Sequence, residues 1–396
     1  MRTKSPQGDS LGQDSGLFDG GPPLKLQEWL GLIKPGQPYI ARRTVLAVLI
    51  GWLPLAVLTA ARDISTGQDA LASFLSDFGV HARCLITVPA FIWAEAFLGR
   101  RLGAIAQHFL DAGLVTDADR PRFEAAQLSI LRWRDSIAVE ALVIVLAYAS
   151  ILALMLSVPS VELPTWHEAS GDRSGSFSAA GWWHGLVSLP LLAIQILGWM
   201  WRLLLWTRFL WLTSRLDLRL VPSHPDGAAG LMFVGHSVRA CGVIGFALGA
   251  VVAGRVANGV ALRGASLVDY RYPVLGLVIF VVVLCSGPLL MFAGKLAQQW
   301  RRGVFEYGAL ADGLGRWFET KWSQRQVDEE ALQASDFSAA TDLYQVVANV
   351  YEMRLVPIDR RSVLFLVVFT LLPFVPVLLL AVPLDKLFSE MANLLF

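Results

Sequence analysis

Charge is scarce in this chain. Asp, Glu, Lys and Arg make up 16% of its 396 residues, where soluble globular proteins carry about 25%. A set of water-facing domains is excluded on that ground, because their surfaces need the missing charge. An excess of one sign is missing too. The 33 Lys and Arg against 32 Asp and Glu leave +1 at pH 7, which gives no basic surface for nucleic acid. Cysteine is sparse: Cys84, Cys241 and Cys285 stand singly in or beside apolar runs. None has a partner at metal-ligand or redox spacing, so they read as small buried hydrophobes.

Catalytic punctuation is also missing. The chain has no Gly-rich phosphate loop, no His-Glu-x-x-His, no Gly-x-Ser-x-Gly and no Cys cluster. No enzyme, metal or cofactor is therefore expected. Residues 1–24 are rich in Gly, Ser, Pro and Asp and lack the apolar core of a secretory signal. They read as a disordered tail.

What the chain has is apolar length. Hydrophobic residues make up 55% of it, and its mean hydropathy is +0.53. The pattern predicts an all-α integral membrane protein of about seven transmembrane helices with amphipathic cytoplasmic helices. The spans fall at 44–61, 84–99, 136–157, 185–210, 238–254, 273–294 and 363–382. The second is short and holds Pro89 and Glu95, so a re-entrant segment is its alternative. The stretch Trp182–Gly254 reads as the organising unit, two helices joined by a short polar turn.

Charge orients these spans. With seven crossings, one side holds 25 of the 33 Lys and Arg. The positive-inside bias then places the amino terminus in the cytoplasm and the carboxyl terminus in the periplasm of a bacterial inner membrane. An interfacial amphipathic helix and linker (25–43) precede the body, 44–294, which includes a helical cytoplasmic segment (100–135), and a second such segment (295–362) follows it. The last helix and an interfacial tail occupy 363–396. In 295–333, Leu296, Trp300, Val304, Tyr307, Leu310, Leu314, Trp317 and Phe318 recur at three- and four-residue steps. Expected partners are the lipid bilayer, further copies of the chain and a cytoplasmic protein at 295–362.

Charges inside spans are the functional leads, because hydrocarbon makes them costly. Glu95, Glu140, Arg202, His236 and Arg239 all fall near the cytoplasmic mouth, and antiparallel neighbours would bring the two carboxylates to one depth. One reading is an ion or proton pathway, with the Glu pair as ligand and the Arg residues setting its field. The other is a set of interhelical ion pairs and snorkelling Arg side chains. A second group surrounds the His224-Pro225-Asp226-Gly227 turn. Asp226 can cap the following helix. Alternatively, that helix start, with Arg215, Arg219 and His224, holds an anion or lipid headgroup. The small residues Gly245, Gly249 and Ala253 read as a helix-packing face, with a close-walled pore as the sharper alternative. The function expected is a channel or transporter for an ion or small solute. The rival is a non-transporting scaffold or sensor that binds a partner through 295–362.

Overall fold

In hydrocarbon each backbone N–H and C=O must be satisfied within the segment, so apolar runs of this length fold as helices. The computed structural model describes residues 16–18, 20–29, 31–32, 39–67, 69–157, 164–167, 177–323 and 335–381. Among them the structure is helical without strands, and seven runs are long and apolar enough to cross a membrane. In order they are Ile40–Thr66, Phe78–Asp111, Ile137–Ser157, Ala179–Thr213, Met232–Arg263, Leu267–Trp322 and Arg360–Leu380, here spans one to seven. The chain is an all-α, multi-pass membrane protein. The tail beyond 381 and the first fifteen residues lie outside the described part.

Span two is a full helix. It runs without reversal through 34 residues, about 51 Å at 1.5 Å per residue. Pro89 is accommodated in the first turn after the π-helical stretch Ala82–Thr87, where a missing N–H costs little. Span two is also the centre of the bundle. Spans one, four and five all pack on it. Spans four and five pack on span two rather than on each other, so Trp182–Gly254 is not a closed helical hairpin. Their connection, 214–231, is no short polar turn either: Leu216, Leu218, Ala228, Ala229 and Leu231 are buried in it.

Span five lies between spans two and seven because its small residues allow both approaches. A Cβ on Gly249 would sit 2.1 Å from the Thr370 carbonyl oxygen, and one on Gly245 would sit 2.4 Å from the Thr370 hydroxyl. On the other side, Gly254 meets Ala82 of span two. Close backbone packing of this kind gains van der Waals contact where lipid offers no hydrophobic drive.

The face that carries the amino terminus, here the basic face, is covered by ordered chain. Helix Arg100–Asp111 is the far end of span two, and helix Arg120–Arg134 packs beside it on span four. Phe109 is the node: it meets Phe233 at 5.0 Å and Phe123, Phe209 and Phe292 at 6.2–6.3 Å between ring centroids. Each such pair contributes about 0.5–1.5 kcal/mol beyond its buried area. Asp119 ties the same segment to the 214–231 connection, accepting from the Asp217 N–H at 2.6 Å and from Arg122 at 3.1 Å. The Asp217 N–H, foremost, and Arg122 hold its carboxyl below the usual carboxylate range against the effect of burial. Further out, helix Ala293–Trp322, the far part of span six, pairs with helix Ser335–Tyr351. Phe318 and Trp322 close their far end on Phe337, at 5.0 and 5.1 Å, and Lys321 pairs with Asp336.

Candidate functional site

The site is built from a strap, a triad and a carboxylate on the basic face. The strap is the amino-terminal segment itself. Residues 16–18 and 20–23 lie against span four and Arg134, so the expected disordered tail is packed over that length. Gly and Pro supply few side chains to bury, but their carbonyls are free to meet buried donors. Arg202 Nε donates to the Gly20 carbonyl at 2.8 Å, and its Nη2 approaches the Gly21 carbonyl at 3.4 Å. Arg134 Nη1 donates to the Gly16 carbonyl at 2.9 Å. Gly20 and Gly21 hold φ of 100° and 97°, a region open chiefly to glycine. Phe18 is buried edge-on against Trp206 and Phe209, at 5.3 and 5.9 Å. Trp206 is thus a core residue. Where the strap crosses span four, a Cβ on Gly198 would lie 2.5 Å from the Pro22 carbonyl oxygen.

Beneath the strap, Glu95 opens the π-helical turn Glu95–Gly99, an irregularity common at functional positions. Its two carboxylate oxygens are divided between two guanidinium groups. Oε2 meets Arg43 of span one at 2.6 Å, and Oε1 meets Arg202 of span four at 2.8 Å. The side chains are 4%, 6% and 15% exposed for Arg43, Arg202 and Glu95. The triad carries one net positive charge in a largely dry setting. Arg202 also stacks on Trp199 at 4.7 Å, and its Nη1 is buried without a hydrogen-bond partner among the described residues.

Glu140 does not face Glu95. Span three packs on span four, not on span two. Glu140 is buried and accepts from the Lys25 backbone N–H at 3.1 Å, at the start of the short helix Leu24–Trp29. The carboxylate pair of the pathway reading is therefore replaced by two separate anchors. One locks three spans together, and the other holds the strap.

His236 and Arg239 leave the predicted cluster altogether. Arg239 is exposed and lies over the Phe365 ring of span seven at 4.9 Å. His236 lines a cavity of about 500 Å³ with His108, Arg219, His224 and Asp226. Arg215 is not among its walls and stacks on Trp211 at 4.1 Å. Asp226 accepts from the N–H groups of Ala228, Gly230 and Met232 at 2.9–3.0 Å and from His224. Half-burial raises its pKa, but these donors outweigh it and hold the carboxyl below its usual range. The N–H groups at the start of the next helix are thus taken up by the chain's own carboxylate. Among the described residues no group of His, Cys, Asp and Glu is arranged to hold a metal.

No family model, curated protein or solved structure matches this chain.

Two features escaped sequence reasoning. Of the tandem Arg42 and Arg43 at the start of span one, Arg43 is buried and Arg42 exposed; a tandem Arg at the depth of an in-span Glu is the available signal. The second is a polar centre on the opposite face. Buried Asp77 accepts from the N–H of Val80 at 3.1 Å, from Trp166 Nε1 at 3.2 Å and from Asn258 Nδ2 at 2.7 Å. His167 stacks edge-on against Trp166 at 3.9 Å. Burial pushes its imidazole down to about 4, the charge of Asp77 opposing only in part. No periodicity or motif links residues so far apart in sequence.

Proposed function

We propose that the protein is a gated membrane transport protein for an ion or small solute, with the Arg43–Glu95–Arg202 triad as a latch at its inner mouth. The observation that carries this reading is the use of buried charge where apolar packing would serve. Buried ion pairs stabilise a fold less than hydrophobic side chains of similar volume. Three spans joined by such a pair, and sealed by a strap of backbone carbonyls, make a contact suited to opening. Glu95 acts in this scheme as the latch rather than as a cation ligand, since both its oxygens are engaged. The membrane is a bacterial cytoplasmic one, with the amino terminus inside and the carboxyl terminus outside. The concentration of Lys and Arg on the basic face supports that orientation.

The test is flux in proteoliposomes for cations, anions and protons. It compares the wild type with a chain lacking residues 1–23 and with Glu95→Gln, each checked for monodispersity. Both variants should conduct more than the wild type. Background flux in all three folded proteins would refute the transport reading.

A second reading has its own observation. The paired helices Ala293–Trp322 and Ser335–Tyr351 leave Phe305, Leu310, Trp317, Tyr344 and Tyr351 exposed beyond the apolar stretch of span six. An apolar, aromatic surface outside the bilayer supports a scaffold or sensor that docks a cytoplasmic protein there. Recovery of a partner that is lost on Leu310→Ser with Trp317→Ser would favour it; recovery unaffected by that pair would count against it.

A further inference from the structure

A groove of about 500 Å³ runs between spans two, five and seven, and none of the triad or strap residues lines it. Span two contributes Ala96, Phe97, Arg100 and Arg101, span five contributes Arg239 and Val243, and span seven contributes Phe365 and Phe369. Its two ends differ in chemistry. Arg100 and Arg101 stand where span two leaves its apolar stretch, and Arg239 stands at the foot of span five. Among the described residues none of the three is paired with a carboxylate. Arg100 donates only to the Ala96 carbonyl of its own helix, and Arg239 rests on the Phe365 ring.

Further in, the wall is apolar. Phe365 and Phe369 stack at 4.2 Å with a 29° interplanar angle. They lie flat on span five because Gly242 has no side chain; a Cβ there would come within 2.9 Å of the Phe365 ring. Phe97 is 58% exposed on the same slot. A cluster of unneutralised guanidinium groups at interfacial depth, continuous with an aromatic trough that descends into the bilayer, complements one kind of molecule. It must be anionic at one end and an extended hydrocarbon at the other. Arg suits the anionic end because its planar fork matches phosphate oxygens. Basic pockets between transmembrane helices on the inner side bind such headgroups by the same physics.

We propose that this groove is a binding site for an anionic phospholipid of the inner leaflet. The phosphate lies among Arg100, Arg101 and Arg239, and an acyl chain lies along Val243, Phe365 and Phe369. The occupant belongs to the membrane, not to the solute pathway, so the site stands whether or not the protein transports.

The experiment uses the full chain purified in mixed micelles of detergent with equal phosphatidylglycerol and phosphatidylcholine, and quantifies retained lipid by mass spectrometry. Phosphatidylglycerol should be enriched in the wild type. Each guanidinium near an anionic lipid is worth about a fivefold change in affinity, so Arg100→Gln with Arg239→Gln should weaken retention about 25-fold. The comparison is Arg301→Gln with Arg316→Gln, which removes the same charge from exposed positions outside the groove and should change nothing. Val243→Trp keeps every charge, fills the slot and should also release the lipid, which covers the case in which the double Arg variant does not fold. Equal loss from the two Arg pairs would reveal general surface charge and overturn the proposal. Retention unchanged in Val243→Trp would overturn it too, as would displacement of the lipid by millimolar glycerol phosphate, which would assign the site to a soluble phosphate.

Discussion

Glu95→Gln is the substitution whose cost follows most directly from the structure. The amide keeps the shape of the side chain and removes its charge. Arg43 and Arg202, 4% and 6% exposed, are then left with buried positive charge and no counter-ion. Breaking a buried pair by removing one partner costs about 3–5 kcal/mol. Glu95 is itself 15% exposed, which lets some water in and puts the expected loss near the lower end, about 3 kcal/mol. The two Arg residues do not suffer equally. Arg202 keeps the Gly20 and Gly21 carbonyls, whereas Glu95 is the ion partner that Arg43 loses. Replacing Arg43 by Met in the Glu95→Gln background removes the stranded charge and should restore about half of the loss. The assay is unfolding by sodium dodecyl sulfate in mixed micelles, followed by tryptophan fluorescence, with all four members of the cycle compared. A Glu95→Gln protein within about 0.5 kcal/mol of wild type, or an Arg43→Met cost that simply adds to it, would refute the triad as a coupled unit.

Other substitutions test other contacts. Gly198→Ala sets a methyl against the Pro22 carbonyl, so it should lift the strap and speed tryptic cleavage at Lys25 while the spans stay protected; unchanged cleavage would mean that the strap does not depend on this crossing. Gly249→Ala drives a methyl into the Thr370 carbonyl and should cost about 1–3 kcal/mol as spans five and seven part, read as a lower midpoint in the same unfolding assay. Asp226→Ala removes the acceptor for three backbone N–H groups and should cost about 1–2 kcal/mol, whereas His224→Ala should cost far less; equal costs would contradict the cap. His167 gives a pH signature. Its folded pKa of about 4 lies below the unfolded value, so its contribution is complete above pH 6.5 and is lost as pH falls toward 4, by up to about 3 kcal/mol. The stability of His167→Phe should fall less over that window, and an identical slope would remove His167 as the cause.

The seven crossings, the helical class and the amphipathic helices outside the spans could be read from the chain alone. They depend on sums over neighbouring residues. Hydropathy over some 20 residues decides what enters lipid, and the backbone must then satisfy itself locally. The Asp226 cap was legible for the same reason, since its partners lie within six residues. What could not be read was who meets whom. Span two, the weakest of the seven by its own composition, is the centre because the small residues of span five, the helix of span four and Arg43 of span one all converge on it. Glu95 and Glu140 look alike in sequence, yet one is shared between two guanidinium groups and the other holds the strap. Arg202 is bound to Glu95, 107 residues away, and to Gly20, 182 residues away. A hydrogen bond acts only at about 3 Å, and nothing in the local composition at either end records its partner. The sequence by itself determined the solvent and the elements. Tertiary packing alone decided which charges are buried together, and so where a function has to be sought.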